Sequence, residues 1–224
     1  MNKKVFYTEA AYIPGIVLTA LGAALMEHSG MGLSMIVAPA YLLHLKISQL
    51  LPWFTFGKAE YLVQALLIAA CVILRRRFRK KYLFSFVTAV IYGAVLDLFM
   101  GMLPQAYGTV MRMLMFTAGM TVCAGGISFM FFTFLAPEAY ELFVQEAAEY
   151  SGRPVPAVKT VYDISSLLVS VVLSLLFFGG LKGIGPGTVV CSLLNGTLIG
   201  FFMKLLENTF VFRDATSLRS FFEG

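Results

Sequence analysis

The residues of this sequence most able to do chemistry are ionisable side chains that lie within long apolar runs. Asp97 is one of them, in the run Tyr92–Met100. A carboxylate at such a depth is costly unless it has a function, and it could bind a cation or carry a coupling proton. The alternative is a place near the outer headgroups, since Pro104 ends the run less than two turns later.

A second polar group closes the first apolar run. Glu27, His28 and Ser29 follow one another there and could form a polar gate or a protonatable site. Residues that cap a helix at the membrane surface would look the same, and the sequence does not decide between the two.

Two further carboxylates stand near the starts of apolar runs. Glu60 comes two residues after Lys58, and Asp163 comes one turn after Lys159. For both, an interfacial carboxylate that favours a helix N-terminus is the preferred interpretation. Asp163 lies just inside its run and is kept among the candidate binding residues.

Glycines interrupt two of the apolar runs in a similar way. The chain reads GMGLS at 30–34 and GGIS at 125–128, and glycine in a membrane-length helix is favoured where the backbone bends or approaches a neighbour closely. We predict helix breaks over roughly 30–38 and 125–136, whose freed backbone groups need partners. A long, tilted and kinked helix is the alternative.

Two polar residues precede matching glycines in later runs. Tyr92 stands before Gly93, and Asn195 before Gly196; they could face a shared cavity or hydrogen-bond between helices. The predicted substrate-binding residues are Glu27, His28, Gly30, Gly32, Ser34, Tyr92, Asp97, Gly125, Gly126, Ser128, Asp163 and Asn195.

The sequence offers little material for catalysis. It has two histidines, and its three cysteines stand alone in apolar runs, without metal-ligand spacing. The stretch GIGPGT at 183–188 lacks the Gly-Lys-(Ser/Thr) of a phosphate-binding loop. We therefore expect no enzyme activity, no cofactor and no bound metal.

The composition requires lipid as the solvent of the elements that position these residues. The chain is 59% hydrophobic with a mean hydropathy of +0.83, and only 13% of it is charged, which exceeds what a soluble domain of this length could bury. The basic run RRRFRKK at 75–81 accounts for much of the excess positive charge. Such runs mark the cytoplasmic side of a membrane protein, so nucleic acid is not an expected partner.

Six apolar stretches are long enough to cross a bilayer. Their approximate cores are residues 10–28, 58–75, 82–103, 108–136, 160–180 and 186–206. With the basic run in the cytoplasm, both termini are cytoplasmic as well. The sequence thus predicts an all-α, multi-pass membrane protein, with five spans as the main competing topology and a homodimer left open.

The two halves of the chain resemble each other in order. Gly32-Leu33-Ser34 matches Gly126-Ile127-Ser128, and Lys58 with Tyr61 matches Lys159 with Tyr162. The stretch 93–100 also matches 196–203 without a gap. Three spans per half predict inverted repeats, 1–106 and 107–224, with Gly-broken first helices, an arrangement found in secondary transporters.

An amphipathic helix is predicted over Pro137–Tyr150, after the second glycine pair. It could lie at the cytoplasmic surface or cover a cavity. Its acidic residues fit poorly with anionic lipid, so packing onto protein is preferred.

The segments GAALMEHSGMGLSM, TFGKAEYLVQALLI, YGAVLDLF and GIGPGTVVCSLLNGTLIG resemble the YitT/YczE-type integral membrane proteins of bacteria over essentially the whole chain. The resemblance implies a small multi-spanning inner-membrane protein and supplies no functional residues.

Three functions are consistent with the sequence. The first is a secondary transporter or facilitator of a small, cationic or proton-coupled solute that works by alternating access. The second is a passive channel, which would have a continuous pore. The third is a membrane regulatory or assembly factor that does not transport, in which the glycine segments would be packed without a polar cavity.

Overall fold

A computed structural model describes residues 3–32, 34–216 and 219; Leu33, part of the predicted repeat match, lies outside the described residues. Eight helices and two short strands occur in the described part of the chain. They are β1 (Lys4–Tyr7), α1 (Thr8–Ser29), α2 (Ala38–Ile47), α3 (Phe56–Arg75), α4 (Lys80–Met102), α5 (Thr109–Phe132), α6 (Ala139–Ser151), α7 (Val155–Phe178), α8 (Pro186–Thr209) and β2 (Phe210–Arg213).

The six long helices α1, α3, α4, α5, α7 and α8 are each long and apolar enough to cross a membrane. Each coincides with one of the six predicted spans, so the all-α, six-span architecture is confirmed. The two short helices, α2 and α6, each follow the first long helix of a half. Each half therefore has the same order of elements: long, short, long, long.

The first predicted helix break agrees with the structure. α1 ends at Ser29, and Gly30 follows it with a left-handed φ of 62°, a conformation that glycine adopts without steric cost. The described residues that follow, 31–32 and 34–37, form no regular helix, and α2 begins at Ala38 with Pro39 in its first turn. The guanidinium of Arg112 donates hydrogen bonds to the carbonyl oxygens of Ser29 and Gly30, at 2.9 and 3.1 Å, and so satisfies the end of α1.

The second predicted break, at Gly125–Gly126, is wrong. α5 continues through both glycines to Phe132, and the chain leaves the helix only at 133–138. Gly15 and Gly22 of α1, with Gly119 and Gly126 of α5, serve close helix packing instead. A Cβ atom on Gly126 would lie 2.5 Å from Thr19 Oγ1, and one on Gly22 would lie 2.5 Å from the carbonyl oxygen of Gly119. α1 and α5 therefore cross, antiparallel, at nearly backbone-to-backbone distance.

The extended segment 133–138 lies among helices, where its backbone groups need partners from protein. Ser85 Oγ donates a hydrogen bond of 2.6 Å to the carbonyl oxygen of Pro137, and Thr88 Oγ1 donates one of 2.6 Å to that of Ala136. Because Ser85 and Thr88 belong to α4 one to two turns after its start, the segment reaches back between the spans before α6 begins. α6 then packs along α3 and α7.

The C-terminal half of α6 packs against the basic run at 75–81. The Glu146 carboxylate is fully buried and forms ion pairs with Arg75 at 2.8 Å, Arg79 at 3.1 Å and Lys81 at 2.5 Å. Glu149, half exposed, also pairs with Arg75. The predicted acidic amphipathic helix thus packs onto protein, and part of the basic run is its partner in addition to any topological role.

The two ends of the described chain lie together. β1 pairs with β2 in parallel, with Val5 opposite Val211. An even number of spans brings both termini to one membrane face, as this pairing requires. That this face is cytoplasmic stays a prediction.

Candidate binding cavity

A cavity of about 620 Å³ lies where the two predicted halves meet. α1 to α6 contribute to its wall, together with the start of α8. Its volume is within the range of sites that take small organic molecules.

The wall carries an excess of negative charge. Five carboxylate side chains line the cavity: Glu27, Glu60, Asp97, Glu138 and Glu141. Among the described lining residues none is Lys or Arg. Such a wall disfavours anions and favours cations or protons.

Aromatic rings form much of the remaining wall. Tyr41, Phe56, Tyr61, Tyr92 and Phe116 all line the cavity. Aromatic faces attract cations and also provide apolar contact for an organic group.

Glu60, on α3, lies at the contact between the two halves. Its Oε2 accepts a hydrogen bond of 2.6 Å from the hydroxyl of Tyr140, on α6. Its Oε1 is buried without a hydrogen-bond partner, and so is Oε1 of Gln64, one turn later on α3. Gln64 is only 6% exposed and lines the cavity.

Glu138 and Glu141 bring two more carboxylates to this part of the wall. Burial raises the pKa of Glu138 well above its usual 4.5, and the neighbouring Glu141 and Glu60 raise it further, while Lys159 acts to lower it. Lys159 is fully buried on α7 and pairs with Glu141 at 3.3 Å. Lys159 is shared between Glu141 and Asp163, with Asp163 at 3.0 Å, so this base is already paired twice. Glu60 and Glu138 have no ion-pair partner within 4.0 Å among the described residues.

The cavity extends between α3 and α4, which do not pack against each other as α7 and α8 do in the described chain. A Cβ atom on Gly196, in α8, would lie 2.6 Å from the Pro156 carbonyl oxygen of α7. Gly93 is the sequence match of Gly196, and a Cβ atom there would meet no atom within 4 Å. The two helix pairs that the predicted repeat would match therefore differ, since α7–α8 is closed and α3–α4 is open.

Five of the predicted binding residues line the cavity: Glu27, Gly32, Ser34, Tyr92 and Asp97. Gly32 and Ser34 belong to the segment between α1 and α2, so this segment bounds the cavity as expected. Whether these residues bind a solute stays a prediction.

The other seven predicted residues lie outside the cavity wall. His28 is buried, and both of its ring nitrogens lack a partner. Gly30 ends α1, and Gly125, Gly126 and Ser128 lie within continuous α5. Ser128 Oγ donates hydrogen bonds to the carbonyl oxygens of Ala124 and Ile199, at 2.7 and 3.1 Å, which joins α5 to α8.

Asp163 and Asn195 form a buried link between α7 and α8. Asn195 Nδ2 donates a hydrogen bond of 3.2 Å to Asp163 Oδ2, and Lys159 Nζ pairs with Asp163 Oδ1 at 3.0 Å. Asp163 is fully buried, so its preferred interpretation as an interfacial carboxylate is wrong. It shares Lys159 with Glu141 inside the protein, and its hydrogen bond with Asn195 helps to close this helix pair.

Sequence reasoning missed Gln64, Glu138 and Glu141 and placed Glu60 at an interface. The sequence does contain a signal that links Glu60 with Gln64, because these residues are spaced i, i+4 and share one face of a helix. Glu138 and Glu141 lie in the predicted amphipathic helix Pro137–Tyr150, for which the sequence leaves open a place at the cytoplasmic surface or over a cavity. Their approach to α3 depends on the extended segment 133–138 turning back between spans, which no local pattern indicates.

A family model matches most of the chain. The model of DUF6198, a family of unknown function, matches residues 6–204, from β1 to within α8. The chain belongs to this family. It is also 26% identical to the uncharacterized protein YyaS of Bacillus subtilis (strain 168) over 203 residues, which cover 89% of this chain and 94% of that protein. Neither match carries the YitT/YczE name, so that naming is not confirmed, and no solved structure matches the chain significantly.

Proposed function

We propose that this multi-span membrane protein is a secondary transporter or facilitator of a small solute that is cationic or coupled to protons. The observation that carries the proposal is the acidic, aromatic cavity of about 620 Å³ at the junction of the two halves. The proposed location is the bacterial inner membrane with both termini in the cytoplasm, and no enzymatic step is part of the proposal.

Features of both halves support alternating access. Each half has the same order of long and short helices, and the first helices of the two halves, α1 and α5, cross antiparallel. An antiparallel crossing is what a pseudo-two-fold axis in the membrane plane produces. The short helices α2 and α6 each bring their N-terminal end to the cavity wall, at Val37 and Glu138.

The open and closed helix pairs suggest how the cavity changes sides. If the halves are inverted repeats, the second state is obtained by exchanging their conformations. In that state α3 and α4 would close at Gly93, as α7 and α8 now close at Gly196. Closure of one helix pair with opening of the other would move access to the cavity from one membrane face to the other.

Two engineered cysteine pairs test this exchange without knowledge of the solute. Pro156 and Gly200 are close across α7 and α8, since a Cβ atom on Gly200 would lie 3.1 Å from Pro156 Cβ. Constant offsets from the matched residues give Thr55 and Asp97 as the equivalent positions on α3 and α4. Pro156→Cys with Gly200→Cys, and Thr55→Cys with Asp97→Cys, are made separately in a background without the native cysteines and oxidised in membrane vesicles.

We expect both pairs to form disulfides, because a transporter visits both states. When all four cysteines are present, formation of one disulfide should prevent the other. If only the Pro156–Gly200 pair reacts, the molecule is static, as a channel or a regulatory factor would be. If both disulfides form together in one molecule, alternating access is excluded.

A further inference from the structure

We propose that the cavity binds a small organic cation bearing N–H groups, such as a primary ammonium, through Glu60, Gln64 and Glu138. This proposal deepens the proposed function and rests on it for the identification of the bound group as a transported solute. It commits to a binding centre and a chemical class that can be tested by equilibrium binding alone.

The first argument is the state of the acceptor oxygens. Gln64 is 94% buried, and its Oε1 has no hydrogen-bond partner although it belongs to the cavity wall. Oε1 of Glu60 is in the same condition, while Oε2 is held by Tyr140 at 2.6 Å. Unpaired buried acceptors are costly. A ligand with N–H donors would satisfy both.

The second argument is charge. Glu60, Glu138 and Glu141 line one region of the wall, and the positive charge of Lys159 is shared between Glu141, at 3.3 Å, and Asp163, at 3.0 Å. A monovalent cation placed near Glu60 and Glu138 would reduce the remaining repulsion between these carboxylates.

The third argument is the spacing of the groups, which favours an organic cation over a metal ion. No group of three His, Cys, Asp or Glu side chains in the described part of the chain is arranged to hold a metal. The cavity is far larger than a single ion, and Phe56, Tyr61 and Tyr92 give it aromatic walls. The ammonium group of such a ligand would lie at the carboxylates, and its aromatic or aliphatic part would lie against the aromatic walls.

Three probes of similar shape separate the contributions of charge and hydrogen bonding. 2-Phenylethylammonium has the charge and the N–H donors, its N,N,N-trimethyl derivative has only the charge, and 2-phenylethanol lacks the charge. Binding is measured by isothermal titration calorimetry on the full-length protein in lipid nanodiscs. We expect the trimethyl derivative to bind at least about tenfold more weakly than the primary ammonium, and the alcohol to show no measurable binding.

Substitutions locate the site. Gln64→Leu should weaken binding of 2-phenylethylammonium about tenfold or more, and Glu60→Gln and Glu138→Gln should do the same. Gln145 on α6 and Glu207 at the end of α8 do not line the cavity, so Gln145→Leu and Glu207→Gln are the matched controls. Thermal unfolding of every variant checks that it is folded, and the two glutamine-for-glutamate changes keep the side-chain shape if Gln64→Leu does not fold.

Three results would overturn the proposal: equal binding of the trimethyl derivative, equal binding of the alcohol, or no binding of any probe. Equal effects of the site and control substitutions would overturn it too. Its failure is distinguishable from that of the transporter. Selective binding without exchange of the disulfides would support the binding site and contradict alternating access. Exchange of the disulfides without binding would support alternating access and contradict the binding site.

Discussion

At the scale of single residues, two side chains of the same type with similar sequence neighbours can lie in different environments. Ser34 and Ser128 look equivalent in sequence, yet Ser34 lines the cavity and Ser128 bonds within α5 and to α8. A glycine in an apolar run permits both a bend and a close helix contact. The sequence could therefore identify the positions but could not tell that Gly30 ends a helix and Gly126 packs inside one.

Gly125 and Gly126 allow a direct test of packing against helix breaking. Gly126→Ala should lower the free energy of unfolding by about 1–3 kcal/mol, because its methyl group would overlap Thr19 of α1. Gly125→Ala should leave it unchanged or raise it by up to about 1 kcal/mol, because only Phe202 lies as near as 4.0 Å and alanine favours helix. Thermal or denaturant unfolding in micelles measures both. Similar losses for the two variants would contradict the packing role.

The carboxyl group of Glu138 predicts how cation binding depends on pH. Its pKa is raised above the usual 4.5 by burial and by Glu141 and Glu60, so a proton competes with a cation for this carboxylate at higher pH than for an ordinary glutamate. Affinity for 2-phenylethylammonium should therefore increase as pH rises towards the pKa of Glu138 and become constant above it. Calorimetry between pH 5.5 and 8.5 measures the trend.

The charged and titratable groups around Glu138 set the limits of this prediction. They are Tyr12 of α1, Glu60 of α3, Tyr92 of α4, Cys123 of α5, Tyr140 and Glu141 of α6, and Lys159 of α7. Glu138→Gln should remove most of the pH dependence. A slope unchanged by Glu138→Gln would assign the titration to another of these groups.

At the scale of elements, the spans follow from the length and apolar composition of the runs, and their ends lie within a few residues of the helices. The short helices depend on tertiary structure. The sequence indicated that Pro137–Tyr150 packs onto protein because of its acidity, but not which protein surface accepts it. That surface is the basic run, since Arg75, Arg79 and Lys81 surround Glu146.

Glu146 and Glu149 should differ strongly in their effect on the position of α6. Glu146→Gln leaves three basic groups around a buried neutral side chain and should cost about 3–5 kcal/mol of stability. Glu149 is half exposed, and Glu149→Gln should cost at most about 1 kcal/mol. Unfolding measurements, with proteolysis near Gly152 as a reporter of local release of α6, test the difference. Equal costs would mean that Glu146 is not the main contact of α6 with the basic run.

Acid should weaken the same contact. Burial acts to raise the pKa of Glu149, but Arg75, followed by Arg79 and Lys81, lowers it below the usual 4.5. A carboxyl group with a lowered pKa in the folded state contributes its full stability above pH 4.5 and loses it as pH falls through the folded value. Release of α6 should thus increase below pH 4.5, and Glu149→Gln should reduce the part of that change due to Glu149. Proteolysis across this pH range checks it.

At the scale of the whole molecule, the ordered sequence matches predict a repeat, but they do not indicate that the two matched helix pairs differ in packing. Gly93 and Gly196 occupy matching positions, yet only Gly196 is in contact with a neighbouring helix across α7 and α8. Sequence similarity reports what two segments have in common. That α7 packs on α8 while α3 and α4 border the cavity is a tertiary feature, and no local pattern indicates it.

Gly93→Leu tests whether closure of α3 against α4 is part of the working cycle. A leucine at Gly93 enters open space in the present state and should change stability by less than about 1 kcal/mol. In the exchanged state it would occupy the place where α3 and α4 meet, as Gly196 meets Thr160 now. The Thr55–Asp97 disulfide should then form at least about tenfold more slowly, because the closed pair is sterically excluded.

Gly101 provides the control within the same helix. It also faces open space, but it lies outside the stretch that matches α8 and two turns beyond Gly93, so Gly101→Leu should leave both disulfides unaffected. The Pro156–Gly200 disulfide should form at least as fast in Gly93→Leu as in the unmodified chain, because that variant favours the state in which α7 and α8 are closed. Rapid formation of the Thr55–Asp97 disulfide in Gly93→Leu would show that α3 and α4 approach each other along another surface, and the proposed exchange of the two halves would then fail.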